Sequence, residues 1–363
     1  MTISSLPRNA RRLASGLARR LLLDRQAEFW VGELDAARSL GEVRARVEAV
    51  LDETHDVKTF LLRPNARWCG HRAGQHTLVE VEIEGVRVRR PYSLSSAPGD
   101  AHLAITVKRA PRGRVSGWLH DHVRPGHVLG LGPAAGDFVL PWAAPAKLLL
   151  LAAGSGVTPL AAILRDLARR GALTDVAFVH HARSASDVIF ARELDALAAR
   201  HPRLRLHTCL ADAASGPGRF DEAQLRALVP DFAERETFLC GPAGLMARVE
   251  RMWREAGAWG RLHQERFALP ASPRARSRAE PVTVTLARSG RTFTARSGTL
   301  LEELERAGER PASGCRMGIC QTCKCRKRSG TVENLVTGAI SSAPDEDIQP
   351  CISIARSDLE LGL

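Results

Sequence analysis

The sequence predicts a multidomain protein in which an antiparallel β-barrel, an α/β unit with a parallel sheet and a small α+β unit follow one another. Three observations predict it. Between residue 43 and about 142, short apolar runs such as 77–83 and 104–107 are split by Gly and Pro, as in a small antiparallel barrel. From 146 to 267, apolar runs (148–152, 176–179, 237–239) alternate with helical stretches (160–170, 191–200, 247–256), the reading of parallel strands joined by crossover helices. After residue 282 a hairpin pattern leads into a helix opened by Thr299, with Glu302 placed to complete a capping box.

At 363 residues there is room for these units, each large enough to bury a core. The division expected is an N-terminal extension at 1–42, the barrel at 43–143, the α/β unit at 144–267, a linker at 268–281 and the last unit at 282–363. The linker holds three prolines, three arginines and no aromatic residue, which suits an extended segment. Apolar content of 44% and charged content of 25% indicate a soluble, folded chain. The net charge of +12 comes from 52 basic residues, 47 of them Arg, scattered through every segment, so no nucleic-acid partner is expected. The longest uncharged stretch, 17 residues from 148 to 164, is broken by Gly154, Gly156 and Pro159 and reads as strand, tight loop and helix start, not a membrane span.

Only a three-residue apolar run, 21–23, follows the basic N-terminus, so no secretory signal is expected and the protein should be cytoplasmic. Leu13, Leu17 and Leu21 share one helical face, with Arg11, Arg12, Arg19 and Arg20 mostly around it. That amphipathic helix has two readings: packed on the first domain, or resting through residues 1–30 on the inner face of the membrane as a peripheral anchor.

Four of eight cysteines lie between Cys315 and Cys325, a clustering that points to a metal site. Cys315, Cys320, Cys323 and Cys351 give C-x4-C-x2-C and, after 27 residues, a fourth Cys: the plant-type 2Fe-2S spacing. Three thiolates on one tight loop and a fourth from a distant segment can surround a two-iron cluster, while Gly314 and Gly318 let the backbone curve near the sulfides. Zinc would favour paired C-x2-C knuckles or histidine ligands, and this segment has no His. Cys325, a fifth thiol beyond Lys324, suits a buried apolar role better than a ligand swap.

Arg90-Pro91-Tyr92-Ser93-Leu94-Ser95-Ser96 follows a strand rich in Val and resembles the RxYSxxS flavin motif of the ferredoxin-NADP reductase superfamily. The resemblance implies that Arg90 pairs with the flavin phosphates, Tyr92 lies on the isoalloxazine and Ser93 approaches flavin N5. An aromatic face suits a flat ring and a guanidinium fork suits a phosphate. Gly113 to Leu119, with Val115 and Ser116, looks like the family's second flavin element, a helix opening against the pyrophosphate, and Val107, Lys108 and Arg109 match the strand lining the flavin. A helix-borne pyrophosphate site argues for FAD over FMN.

Gly154-Ser155-Gly156-Val157-Thr158-Pro159 resembles the family's GxGxTP turn, which admits a nicotinamide dinucleotide. The next strand ends in His180-His181-Ala182-Arg183-Ser184; a cation there suits a 2′-phosphate, which favours NADPH over NADH. Cys240-Gly241-Pro242 matches the turn whose Cys lies near the nicotinamide C4, and Glu265 and Phe267 resemble the closing strand that approaches the flavin. Tyr92, Ser93 and Cys240 are the expected catalytic residues.

The resemblance, to reductases ending in a plant-type ferredoxin of β-grasp fold, covers residues 43–363 and implies a relay: hydride to FAD, single electrons to the 2Fe-2S cluster, then an acceptor protein docking near Cys320. Glu28-Phe29-Trp30 and His71-Arg72-Ala73-Gly74-Gln75 look similar to reductases serving membrane di-iron fatty-acyl desaturases or hydroxylases, the acceptor expected here. Reductases of soluble ring-hydroxylating oxygenases share the same modules. A third reading is a redox sensor or electron-transfer subunit that binds flavin without oxidising nicotinamide.

Overall fold

The computed structural model describes residues 35–111, 113–211, 220–267, 281–296, 298–318 and 321–363. The N-terminal amphipathic segment, nearly all of the linker and Cys320 lie outside the described residues.

Strands β1 (Val43–Thr54), β2 (Val57–Pro64), β3 (His76–Ile83), β4 (Val86–Ser93), β5 (Leu103–Lys108) and β6 (Val128–Leu131) form one antiparallel sheet in the order β4-β3-β6-β1-β2-β5. A bridge between Leu94 and Ile105 joins its two edges, so the sheet curls into a barrel and hides edges that would otherwise invite pairing. Alternation fills it: Ala45, Val47, Phe60, Leu62, Val79 and Val81 point into one core. Helix α1 (Arg114–His122) closes the barrel with Val115 and Leu119, and the buried His120 anchors it by a 2.8 Å contact from Nε2 to the Val107 carbonyl.

The second sheet is parallel throughout, β11-β10-β7-β8-β9, built from β7 (Lys147–Ala153), β8 (Asp175–Ala182), β9 (Leu204–Leu210), β10 (Glu236–Cys240) and β11 (Leu262–Glu265). Covered on both faces, β7 is apolar from Leu148 to Ala153, as a central parallel strand must be. Helices α2 (Val157–Arg169) and α3 (Ala191–Arg200) pack on one face, and α4 (Glu222–Leu228) and α5 (Ala243–Glu255) on the other. The chain runs from β7 outward to β9, then crosses to β10 on β7's other side; a cleft opens at that reversal, beyond the carboxyl ends of β7 and β10. The uncharged stretch at 148–164 resolves into β7, a turn at Gly154–Gly156 and the start of α2. Among the described residues no helix is long and apolar enough to cross a membrane.

The C-terminal unit has a mixed sheet, β13-β12-β19-β14-β17, and a small one, β16-β15-β18. Its strands are β12 (Val282–Leu286), β13 (Thr292–Ala295), β14 (Cys325–Ser329), β15 (Val332–Asn334), β16 (Ile340–Ser341), β17 (Glu346–Ile348), β18 (Ser353–Ala355) and β19 (Leu359–Leu361). Helix α6 (Leu300–Arg306) carries the anticipated capping box: Thr299 Oγ1 accepts from the Glu302 amide, and Glu302 accepts from the Thr299 amide at 2.8 Å.

Candidate redox site

The end of β4 carries Tyr92 and Ser93 into a cavity of 420 Å³ whose walls include Arg90, Thr106, Gly113, Ser116, Thr158, Glu265 and Met317. Burial pushes the Tyr92 phenol upward, so it stays neutral. Ser93 Oγ donates to Glu265 Oε2 at 3.3 Å, whereas Ser95 and Ser96 are structural: Ser95 Oγ lies 2.9 Å from Thr106 Oγ1, and Ser96 Oγ accepts from the Ala104 amide. Gly113 begins α1 without a side-chain cap, leaving its first amides open to an anion. A Cβ at Gly113 would fall 2.3 Å from Ser116 Oγ and 2.8 Å from Ala110 Cβ, so any larger residue would have to displace the Ser116 hydroxyl that holds the turn. Ser116 holds the turn by accepting from the Ala110 amide. Val107 turns its side chain into the barrel core, and Val115 packs on that core while also lining this cavity. Lys108 lies at the boundary with the second cavity and ion-pairs with Asp56 at 2.6 Å.

That second cavity, 990 Å³, follows the cleft beyond β7 and β10 and is lined by Gly154, Gly156, Arg183, Asp187, Gly241 and Pro242, among others. A Cβ at Gly156 would sit 2.1 Å from the Cys240 carbonyl oxygen, so glycine is what lets the two strand ends meet. Thr158 Oγ1 donates to the Ser155 carbonyl and fixes the turn, while Pro159 sits in the first turn of α2, where its missing N–H costs nothing. Cys240 is fully buried beside Glu265 in the β10–β11 register; burial and then the Glu265 charge push its thiol well up. It lies in the apolar core and lines neither cavity. Arg183 is held by Asp187 at 2.9 Å and lies 3.6 Å from Asp56; Ser184 Oγ also donates to Asp187.

Cys315 and Cys323 on one loop and Cys351 in the turn Pro350–Ile352 are all buried. Cys351 hydrogen-bonds Cys323, pulling the Cys323 thiol below its ordinary value, and Cys315 is near enough to press on Cys351 electrostatically. The Met317 amide points at Cys315 Sγ, 3.4 Å away. Left-handed backbone at Arg316 (φ 60°), Gly318 (φ 79°) and Gln321 (φ 53°) curls the loop. Converging thiols with an amide aimed at one sulfur are a donor set that fits a 2Fe-2S cluster. Cys325 belongs instead to the core of the mixed sheet, and burial, then the neighbouring Cys323, push its thiol up to about 12.

Three family models match in chain order: the oxidoreductase FAD-binding domain over residues 44–139, the oxidoreductase NAD-binding domain over 150–251 and the 2Fe-2S iron-sulfur cluster binding domain over 284–355. An NADPH oxidoreductase of Mycobacterium tuberculosis is 39% identical over 331 residues, 90% of this chain and 85% of that one. The chain belongs to the ferredoxin-NADP reductase superfamily, among the reductases with a C-terminal 2Fe-2S ferredoxin domain. The glycine betaine monooxygenase reductase subunit of Chromohalobacter salexigens is 35% identical to this reductase over 351 residues, covering 88% and 95% of the two chains. Phthalate dioxygenase reductase shares its architecture at a TM-score of 0.64 and 26% identity, over 89% of this chain and 98% of that one.

The reductase is therefore an oxidoreductase with FAD-binding, NAD-binding and 2Fe-2S domains. When bound, FAD supplies the conversion of an electron pair from the nicotinamide into single electrons for the cluster. The uncapped α1 and the Gly113 turn suit its pyrophosphate. Sequence reasoning missed three polar groups here. His76, buried at the start of β3, places Nδ1, which has no hydrogen-bond partner, 3.6 Å from Glu265 Oε1; Asp56 and Asp187 surround Arg183. A lone His at a strand start has no local signal, and its partner stands on another domain.

Proposed function

We propose that this reductase oxidises NADPH and passes the electrons, through FAD and its own 2Fe-2S cluster, to the oxygen-activating component of an oxygenase. The observation that carries the reading is the makeup of the smaller cavity: the flavin motif (Arg90, Tyr92, Ser93) and the loop of the first cluster cysteine (Cys315, Arg316, Met317) are walls of one space. In it Tyr92 covers the flavin ring, Ser93 stands at N5 with Glu265 behind it, and Arg90 with Gly113 and Ser116 takes the phosphates. Gly154 and Gly156, with Gly241 and Pro242 opposite, receive the nicotinamide half, Thr158 and Pro159 shaping that turn and Cys240 lying buried behind it, and Arg183 and Ser184 take the adenosine ribose. Cys320 completes the ligand set of Cys315, Cys323 and Cys351. NADPH is favoured by the cation at Arg183 and by the relative named NADPH oxidoreductase.

The relatives with an acceptor in their names, the glycine betaine monooxygenase reductase subunit and phthalate dioxygenase reductase, support an oxygenase partner. A membrane desaturase partner rests on the resemblance at Glu28-Phe29-Trp30 and His71-Arg72-Ala73-Gly74-Gln75, and membrane association on residues 1–30. Steady-state reduction of cytochrome c by NADPH and NADH tests the relay: rapid turnover is expected, and none would leave a passive subunit. Pull-down of the reduced protein from soluble and membrane fractions then identifies the acceptor; retention of a desaturase alone would overturn the oxygenase choice.

A further inference from the structure

We propose that Arg90 is a two-sided latch that makes docking of the ferredoxin domain depend on FAD occupancy. The inference rests on the flavin site assigned above. Arg90 Nη1 donates to the Gly314 carbonyl at 2.8 Å, across 224 residues, and to the Arg89 carbonyl at 2.7 Å. Gly314 directly precedes Cys315, so the flavin-motif arginine grips the peptide that opens the cluster loop. A guanidinium presents five N–H groups in a plane, and these bonds use one nitrogen. The rest of the fork stays with the cavity that Arg90 shares with Gly113 and Ser116 at the open start of α1. From the other side, Arg316 of the cluster loop enters the same cavity, tied to Glu305, with its Nε buried and lacking a partner.

Two arginines from different domains therefore face one space, and burial, then the nearby Arg316, weigh against the Arg90 charge. An anion between them offsets both penalties and fixes the fork that holds Gly314. The apolar clusters of the ferredoxin domain contain no barrel residue, so among the described residues no hydrophobic seam does the docking in its place. FAD is then part of the junction: the phosphate that secures it also draws the cluster to the flavin.

Small-angle X-ray scattering on the full chain, cluster intact, tests this with and without FAD. Removing FAD from the wild type should enlarge the radius of gyration. Arg90→Lys keeps a charge for the phosphate but loses the second prong; saturated with FAD it should remain enlarged. Its FAD dissociation constant, read by flavin fluorescence, should rise about tenfold. Single-electron transfer from reduced flavin to oxidised cluster, the proton passing to solvent, should slow more than flavin reduction by NADPH does. Arg316→Gln, outside the barrel, should shift scattering the same way. Wild-type scattering indifferent to FAD, or FAD-loaded Arg90→Lys matching wild type in size and in flavin-to-cluster rate, would overturn the latch. A wild type that binds no FAD would instead remove the flavin site itself.

Discussion

The barrel and the parallel-sheet domain are joined through a common core, whereas the ferredoxin domain is attached by polar contact. Val57, Ala73, Phe138 and Leu140 from the barrel side belong to the same apolar cluster as β7, α2 and α3, and Phe138 meets Phe238 edge-on at 5.2 Å. Arg165 strengthens that junction, bonding the Ser95 carbonyl and Glu193 while lying 4.4 Å over the Phe190 ring. The ferredoxin domain instead keeps separate clusters around α6 and the cysteines and touches the barrel at Arg90. Hydride transfer needs two rings held in one geometry, so a fused core suits the first pair of domains. Electron delivery to a second protein needs the cluster to face two directions, and a polar attachment permits that.

The largest expected effect separates the halves by function. Cys323→Ser or Cys351→Ser should strip the iron and cut cytochrome c reduction on the order of 100-fold or more, since ligands matter more than their supporting shell. Ferricyanide reduction and the melting of the flavin and nicotinamide domains should persist. Next, Phe138→Ala should cost about 3–5 kcal/mol and lower the melting of both fused domains together; a loss confined to one would break the comparison.

Acid should sharpen the same contrast. Burial pushes the His180 imidazole down to about 4. As pH falls from about 6.5 the unfolded chain takes up this proton first, so stability is full above that value, declines to about pH 4 and levels off, a loss of roughly 3 kcal/mol. The C-terminal unit contains no histidine and should show no such decline in calorimetry across that window. Smallest is Asp187→Asn, which removes the nearer of the two carboxylates beside Arg183 and should raise the NADPH to NADH preference about threefold, the scale of an exposed pair. Arg183→Asp should reverse that preference.

Local signals were legible in the sequence and long-range ones were not. The capping box at Thr299 spans four residues, and 191–200 is helical to the residue. Helix α2 begins at Val157, three residues before the expected start, because Pro159 is accommodated inside its first turn. Strand β9 was missed because, unlike the buried β7 and β10, most of its residues are exposed or half-buried and carry no apolar run, and α4 because it is only two turns long. The RxYS run is contiguous and three of the four cysteines fall within nine residues, so both could be read as chemistry before folding. The Glu265–His76 pair, the Asp56 and Asp187 carboxylates around Arg183, and the grip of Arg90 on Gly314 join segments that only folding brings together.

Anaerobic stopped-flow mixing of the reconstituted protein with NADPH, followed at flavin and cluster wavelengths and by paramagnetic resonance of the frozen product, tests the relay most directly. One FAD and two irons per chain are predicted, with the cluster reduced after the flavin and at a rate the flavin governs. A flavin that reduces while the cluster stays oxidised, or a cluster that reduces without flavin, would contradict it.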